Sequence, residues 1–280
     1  MPLIATDLDG TLLMTGSHEP HPDAVHAIHQ ALAAGIQVVF ATGRAPLDVV
    51  PIADIVGHRW YAVCCDGTAL VDLTEPRVVS TKPLPLDTKL EVVRRLRARF
   101  ADVAFLVDRV NVGPVVQGHY GLVFEEGFEA PWAWALEGAQ QVSSIDEVLS
   151  DTSIVKMCAF LDNDGRDGAA FREIADMVND LVTTVRINSD KTFVDMCLKG
   201  VSKATGVGEI ADRIGVSREH VFAVGDLHND VEMLEWAGFS FAVANAHPAV
   251  HDVADMIVPS NDHGGVAAVV AAALEHLRSS

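Results

Sequence analysis

Short apolar runs alternate with amphipathic stretches along the first 65 residues of the chain. Residues 3–5 and 36–40 have the length and composition of buried strands. Between them, residues 22–34 begin with Pro-Asp and show the apolar spacing of a helix, which Gly35 ends. A third buried strand is predicted at residues 60–65. This strand, helix, strand order is typical of a parallel α/β sheet.

A different pattern begins after a hairpin at residues 68–81 and a Lys-Pro-Leu-Pro connector. It predicts a helix containing Leu90, Val93 and Leu96, short strands at 103–107 and 154–160, and a helix at 167–179. Alternation resumes near residue 200, and it predicts helices at 202–213, 229–236 and from 264, and strands at 221–224 and 239–243. We therefore predict an α/β fold with a Rossmann-like, doubly wound parallel-sheet core at 1–82 and 191–280. An inserted α+β domain spans residues 83–190.

The amino-acid composition limits the classes of molecule that the chain is expected to bind. The 280 residues include 39 acidic and 20 basic side chains, a formal charge of −19, which argues against binding to nucleic acid or anionic membranes. No window approaches the roughly twenty apolar residues of a membrane helix, and the amino terminus has no secretory signal pattern. The four cysteines form no CxxC pair, so we expect free buried thiols and a cytoplasmic location.

Polar clusters accompany the predicted strands. Asp7 and Asp9 follow the first strand, Thr42 and Gly43 follow the second, and the segment Gly225-Asp226-Leu227-His228-Asn229-Asp230 follows the strand at 221–224. Carboxyl ends of strands in an open α/β sheet meet where ligands bind, and carboxylate oxygens suit Mg²⁺. Lys203 begins a predicted helix, where an ammonium favours anion binding. Taken singly, the Asp7 segment also fits an ordinary turn, and Lys203 a solvated lysine.

The motifs DLDGT, ATGR, GVSK and GDLHND stand in this order along the chain, and together they resemble the four motifs of the haloacid dehalogenase-like phosphatase superfamily. The long insertion between the second and third motifs is similar to the Cof-type subfamily, in which a type IIB cap domain covers the active site. The ending, ANAHPAV followed by ADMIVPSNDHGGV, is similar to that subfamily as well. The resemblance spans the whole chain.

The resemblance implies a role for each matching residue. Asp7 would be the nucleophile that forms an aspartyl-phosphate, and Asp9 the general acid and base. Mg²⁺ would be held by the Asp7 carboxylate, the Asp9 backbone carbonyl and Asp226, with Asp230 orienting these ligands from behind.

The same resemblance implies a set of phosphate-binding groups. These are the backbone amides of Leu8 and Gly43, the Thr42 hydroxyl, the Lys203 ammonium and the Asn229 amide.

The expected function is Mg²⁺-dependent hydrolysis of small phosphorylated metabolites, foremost sugar phosphates. Two alternatives stay open: a phosphomutase or phosphotransferase of the same superfamily, and a catalytically silent regulator that binds a phosphorylated metabolite. Neither the substrate nor the oligomeric state follows from the sequence.

One departure from the resemblance is Asp66-Gly67, where the subfamily commonly has Asn-Gly. Asp66 is either a turn residue or a carboxylate that bonds hydroxyl or amino groups of the substrate. In the inserted domain, the arginines at 94, 95, 97 and 99 fit a solvated helix face better than a substrate-steering surface. Trp132 and Trp134 fit local packing better than ligand stacking, and residues 162–165 fit a surface turn.

Overall fold

The structure is a computed structural model, and it describes residues 1–57, 60–116, 120–130, 136, 138–163, 168–187 and 190–279. The chain divides into two compact units, Met1–Val79 with Ser202–Ser280 and Ser80–Val201. Trp132, Trp134 and the second half of the predicted turn at 162–165 lie outside the described residues.

The order of the described strands and helices along the chain explains its division into two units. The strands, in chain order, are β1 (Leu3–Thr6), β2 (Gln37–Ala41), β3 (Tyr61–Cys64), β4 (Ala69–Asp72), β5 (Arg77–Thr81), β6 (Ala104–Val110), β7 (Gly113–Pro114), β8 (Tyr120–Glu125), β9 (Gln140–Val142), β10 (Ile154–Leu161), β11 (Val182–Arg186), β12 (Thr192–Leu198), β13 (Val221–Gly225), β14 (Phe239–Val243) and β15 (Met256–Val258). The helices are α1 (Pro22–Ala33), α2 (Pro46–Val56), α3 (Leu86–Arg99), α4 (Ala169–Val178), α5 (Lys203–Ile214), α6 (Val231–Trp236), α7 (Pro248–His251) and α8 (Gly265–Ser279).

The sheet of the first unit has strand order β15-β14-β13-β1-β2-β3-β4-β5. All pairs from β15 to β3 are parallel, and β3 and β4 form an antiparallel hairpin. Strand β1 lies inside the sheet with all four residues buried, which explains its continuous apolar sequence. Helices α1 and α8 pack together against the sheet, and so do α5 and α6. The predicted α/β Rossmann-like core is confirmed.

Helix α5 approaches the turn after β3 closely because two glycines leave room for it. A Cβ atom on Gly206 would lie 2.4 Å from Cγ1 of Val63, and one on Gly67 would lie 2.1 Å from the Ser202 carbonyl oxygen. Gly67 also has a φ of 103°, which L side chains rarely adopt. This contact fixes the start of α5, and therefore Lys203, beside the turn that carries Asp66.

The second unit is a six-stranded sheet of order β11-β12-β10-β6-β8-β9, antiparallel except between β8 and β9. Residues of α3 and α4, among them Val93, Leu96 and Ile174, pack on one face of the sheet over Phe105 and Val107. The unit is an α+β insertion, as the sequence predicts.

Two sequence-based expectations differ from the structure. The expected return to the core at residue 191 precedes β12, whose residues pair with β10 and β11 of the second unit. The sequence reading did not recognise the threonine-rich β11 and its partner β12 as strands. Helix α2 was not predicted either, because it contains Pro51, and an interior proline argues against a helix.

The arginines of α3 are engaged in ion pairs with nearby carboxylates. Arg95 contacts both Glu91 and Asp180, at 2.8 and 2.6 Å, and Arg97 contacts Glu125 and Asp146. These ion pairs hold the arginine side chains on the surface of the second unit.

No helix among the described residues has the length and apolar character needed to cross a membrane.

Replacing Gly206 by Ala should lower the free energy of unfolding by about 1–3 kcal/mol, because the added methyl group overpacks the contact with Val63. The matched control is Gly208→Ala in the same helix, where a Cβ would lie 3.4 Å from Trp236, an ordinary contact. That change should raise the free energy of unfolding by about 0.5–1 kcal/mol. Urea denaturation followed by circular dichroism measures both, and equal effects would contradict the close packing described.

Candidate active site

The structure brings together four predicted residues from three distant parts of the chain. The Lys203 ammonium donates to Oδ1 of Asp7 at 2.6 Å and to Oδ1 of Asp230 at 2.8 Å. Asp7 directly follows β1, and its backbone N–H donates to the Val224 carbonyl oxygen of β13 at 3.0 Å. Asp7, Lys203 and Asp230 are all buried, with Asp230 fully inaccessible. We name this group, together with Asp226, the buried carboxylate cluster.

Asp230 is fixed by hydrogen bonds to both of its carboxylate oxygens. Its Oδ2 accepts the backbone N–H groups of Asp226 and Leu227, at 3.0 and 3.1 Å, while Oδ1 accepts from Lys203. Gly225 permits this arrangement, since a Cβ there would lie 2.4 Å from Cβ of Asp230. With both oxygens engaged, Asp230 is placed to orient Asp226 and Lys203.

The cluster contains more negative than positive charge. Burial, followed by the nearby Asp230 carboxylate, raises the pKa of Asp226 to about 7, although Lys203 and the Thr11 hydroxyl oppose the shift. Burial also raises the pKa of Asp7 well above its usual range; Lys203 opposes this, and the carboxylates of Asp230 and Asp226 add to it. Burial disfavours the charge on Lys203, but Asp230 and Asp7 outweigh it and raise its pKa.

A hard divalent cation fits this donor set. Asp7, Asp226 and Asp230 each offer a carboxylate oxygen within 4.8 Å of those of the others, and Lys203 alone among the cluster residues carries positive charge. Oxygen-only ligands of this kind suit Mg²⁺. The backbone comes close as well, since a Cβ on Gly10 would lie 2.4 Å from Oδ2 of Asp226.

Two of the expected phosphate-binding residues, Thr42 and Gly43, lie in the turn after β2. Thr42 is buried, and its hydroxyl accepts the backbone N–H of Arg44 at 3.1 Å. Gly43 follows it directly in the chain. Leu8 is buried between Asp7 and Asp9, and its carbonyl oxygen accepts the amide of Leu13 at 2.8 Å. The Asn229 amide donates to Oδ1 of Asp66 at 2.9 Å.

Asp9 lies apart from the buried cluster. Its side chain is 57% exposed, and Arg44 binds both carboxylate oxygens, with Nε to Oδ2 at 2.7 Å and Nη2 to Oδ1 at 2.5 Å. His18 lies 3.2 Å from the same Nη2 atom. Arg44 was not predicted as a site residue. Its position in the ATGR motif, directly after Thr42 and Gly43, is the sequence feature that could have indicated it.

Two asparagines that the sequence reading did not single out support the loop after β1. Asn245 donates to the Gly10 carbonyl oxygen at 2.7 Å and accepts the Asn261 N–H at 3.0 Å. Asn261, almost fully buried, donates to the carbonyl oxygen of Leu13 at 2.9 Å. Both asparagines lie in the carboxy-terminal segments quoted for the family resemblance, which was the only signal for them.

Asp66 is part of the site rather than a surface turn. It is 3% exposed and has a φ of 55°, and the preceding Cys65 has a φ of 49°, both in the left-handed region. Besides contacting Asn229, its carboxylate lies against Gly43, where a Cβ atom would be 3.2 Å from each oxygen. Residues other than glycine rarely have a positive φ, and those that do occur often at functional sites.

Comparison with known proteins finds similarity over nearly the whole chain. A family model described as haloacid dehalogenase-like hydrolase matches residues 4–270. Pyridoxal phosphate phosphatase YbhA of Escherichia coli is 28% identical over 270 residues, which cover 95% of this chain and 96% of that protein.

Solved structures share the fold over nearly the full length. BT1666 from Bacteroides thetaiotaomicron, a phosphatase of the HAD enzyme superfamily, has a TM-score of 0.76 at 23% identity, covering 98% of this chain and 95% of that one. The HAD subclass IIB sugar phosphatase BT4131 has a TM-score of 0.77 at 20% identity, covering 99% of both chains.

The raised pKa of Asp226 predicts how stability responds to pH when divalent cations are removed by a chelator. Between the ordinary value of 3.8 and about 7, the folded chain keeps a proton that the unfolded chain has lost. Raising the pH through this window therefore lowers the free energy of unfolding. We expect Mg²⁺, which requires the ionised carboxylate, to raise the melting temperature more above the window than below it.

Thermal denaturation with chelator or Mg²⁺ across this pH range measures both effects. The Asp226→Asn protein is the control, because it cannot titrate at this position and should lose this part of the pH dependence and most of the Mg²⁺ response. Identical pH profiles for the two proteins would contradict the charge balance described for the cluster.

Proposed function

Because the chain belongs to the haloacid dehalogenase-like hydrolase family and is a phosphatase of that family, we propose that it hydrolyses phosphomonoesters of small metabolites, foremost sugar phosphates, through an aspartyl-phosphate. The observation that carries the proposal is the contact of 2.6 Å between Lys203 and Asp7 inside the buried carboxylate cluster. The Lys203 ammonium opposes the rise in the pKa of Asp7 that burial causes, and it thereby favours the ionised form that a nucleophile requires.

The reaction has two steps with one change of role. In the first, an Asp7 carboxylate oxygen attacks phosphorus, the bond from phosphorus to the ester oxygen breaks, and Asp9 gives a proton to the departing alkoxide. In the second, Asp9 takes a proton from water, which attacks phosphorus and releases Asp7 and inorganic phosphate. One residue serves as acid and then as base, so its protonation state is restored after each turnover.

Mg²⁺ belongs to the same proposal. We assign the Asp7 carboxylate, the Asp9 backbone carbonyl and Asp226 as its ligands, with Asp230 holding Asp226 and Lys203 in place. When bound, the ion supplies positive charge that stabilises the phosphoryl oxygens and the ionised form of Asp7. The excess of buried carboxylates over Lys203 supports this assignment.

The phosphoryl group would be held by donors from three strand ends. These are the Leu8 and Gly43 amides, the Thr42 hydroxyl, the Asn229 amide and Lys203. In a loose phosphoryl-transfer transition state, positioned donors and charges account for most of the catalysis. The burial of Thr42 and Lys203 supports the assignment, since hydrogen bonds and charges act more strongly away from water.

Asp9 must exchange its partner before it acts as an acid. In the structure both of its carboxylate oxygens accept hydrogen bonds from Arg44. The side chain is exposed, so rotation toward a bound ester requires no repacking of the core. Arg44 would then be released to contact an anionic group of the substrate.

The insertion is the proposed source of substrate choice, acting as a cap that recognises the leaving group. YbhA is named for pyridoxal phosphate and BT4131 for sugar phosphates, which supports small phosphorylated metabolites as the class. Four free, buried cysteines are compatible with the cytoplasm as the proposed location.

The first test is phosphate release from sugar phosphates, pyridoxal phosphate and an aryl phosphate, with Mg²⁺ or with chelator. Asp7→Asn should lower turnover by at least about 10³-fold, because the nucleophile is lost. Asp252→Asn, a change of an exposed carboxylate with the same effect on net charge, should leave turnover unchanged. Appreciable turnover by Asp7→Asn, or Mg²⁺-independent release, would refute the mechanism; transfer to a sugar hydroxyl without net release would indicate a mutase.

A second test separates the acid from the rest of the site. Asp9→Asn should slow the first step with an alkyl phosphate by about 10²–10⁴-fold but slow an aryl phosphate far less, because an aryl oxide departs without a proton. Rapid-quench measurement of the first turnover reads this step directly. Asp252→Asn is the control, since it removes an exposed carboxylate outside the site and keeps the acid, and its ratio of alkyl to aryl rates should equal that of the unaltered protein. Equal losses on both substrates for Asp9→Asn would rule out the assigned role.

A further inference from the structure

Asp66 places a fourth carboxylate beside the residues assigned to hold phosphate. Its Oδ1 accepts the Asn229 amide N–H at 2.9 Å, and both oxygens lie where a side chain on Gly43 would meet them at 3.2 Å. One of the groups proposed to bind the phosphoryl oxygens, the Asn229 amide, is therefore held by an anion that belongs to the protein itself, and Gly43 lies beside the same anion.

No step of the proposed reaction uses this carboxylate. Asp7 attacks, Asp9 moves the proton, and Asp226 with Asp7 suits the cation. Asp66 nevertheless occurs in a left-handed backbone conformation, where Asn or Gly would be accommodated at least as well, and it is almost fully buried. A buried charge is costly, so its presence points to an effect on the ligand.

The effect follows from charge. The Lys203 ammonium already binds Asp7 and Asp230, and Lys203 begins the helix that packs against the turn carrying Asp66. A phosphate dianion entering the site must share Lys203 with these groups and must take the Asn229 amide from Asp66. Both requirements weaken binding of the free product as well as of the substrate.

Resting on the proposed function for its phosphate ligand, we propose that Asp66 limits the affinity of the site for phosphate and thereby speeds release of the product. Its carboxylate competes for Asn229 and repels the anion from the Gly43 side. Tight binding of phosphate in the ground state and in the product complex does not raise turnover, whereas slow product release limits it. Asp66 is therefore assigned to control product affinity.

The decisive variant is Asp66→Asn. It removes the charge, retains an oxygen that accepts the Asn229 hydrogen bond, and suits a left-handed backbone. Calorimetric titration with inorganic phosphate in the presence of Mg²⁺ should show binding about tenfold tighter or more, given the strength of a neighbouring charge at partly buried sites. The inhibition constant of phosphate and the KM should fall together, without an increase in kcat.

Asp66→Gly is the second variant, because glycine accepts the positive φ and removes both the charge and the hydrogen-bond acceptor. It too should bind phosphate more tightly. Asp252→Asn is the control for net charge and should bind phosphate as the unaltered protein does.

The outcomes separate this inference from the proposed function. If the unaltered protein releases phosphate from esters but neither Asp66 variant binds phosphate more tightly, the inference is wrong and Asp66 only orients Asn229. If both variants bind phosphate more tightly while the unaltered protein hydrolyses no ester, the effect of Asp66 on phosphate affinity stands, and the proposed function fails together with the role in product release. Weaker phosphate binding by Asp66→Asn, with an unchanged melting temperature, would also overturn the inference.

Discussion

The site depends on the ammonium of Lys203, which lies buried between Asp7 and Asp230. None of the three charges is stable alone in the interior, because desolvation costs several kcal/mol per ion unless partners compensate it. Together they connect the end of β1, the start of α5 and the turn after β13, and Lys203 alone is 196 positions from Asp7 in the chain. The packing of the first unit therefore also determines where Asp7 lies. The glycine-mediated contact of α5 with the turn after β3 positions Lys203, and Lys203 positions Asp7.

The buried carboxylate cluster has more negative than positive charge, and this excess determines which ions the cluster attracts. A single lysine cannot neutralise Asp7, Asp226 and Asp230, so a carboxyl group in the cluster retains its proton to an unusually high pH unless another cation is present. In the proposed function, a divalent cation supplies the missing positive charge and a phosphate binds beside it. Asp66 adds negative charge next to Gly43 and Asn229. Affinity for anions is therefore set by a balance between the cation and the surrounding carboxylates.

How far the sequence could predict this arrangement depended on what each feature requires. Buried strands leave continuous apolar runs, so β1 and β13 were predictable, and with them the polar residues at their ends. Contacts between side chains of separate loops leave no periodic signal. The pairing of Arg44 with Asp9 and the support of the Gly10 loop by Asn245 were therefore missed. Helix α2 and strand β12 were missed for a related reason, since packing overrode an interior proline and weak local patterns.

The contrast between Asp7 and Asp9 shows how a short segment can make two carboxylates different. They are two residues apart and would point to the same face if β1 continued, but β1 ends at Thr6, and the Leu8 carbonyl accepts the amides of the following turn. As a result, Asp7 is directed into the interior beside Lys203, whereas Asp9 reaches solvent and Arg44. A nucleophile gains from a fixed, dry position, because its attack geometry is then predetermined. A group that must accept and return protons needs access to solvent and a hydrogen-bond partner from which it can separate. The turn at Leu8 is therefore the structural origin of the difference between the two carboxylates.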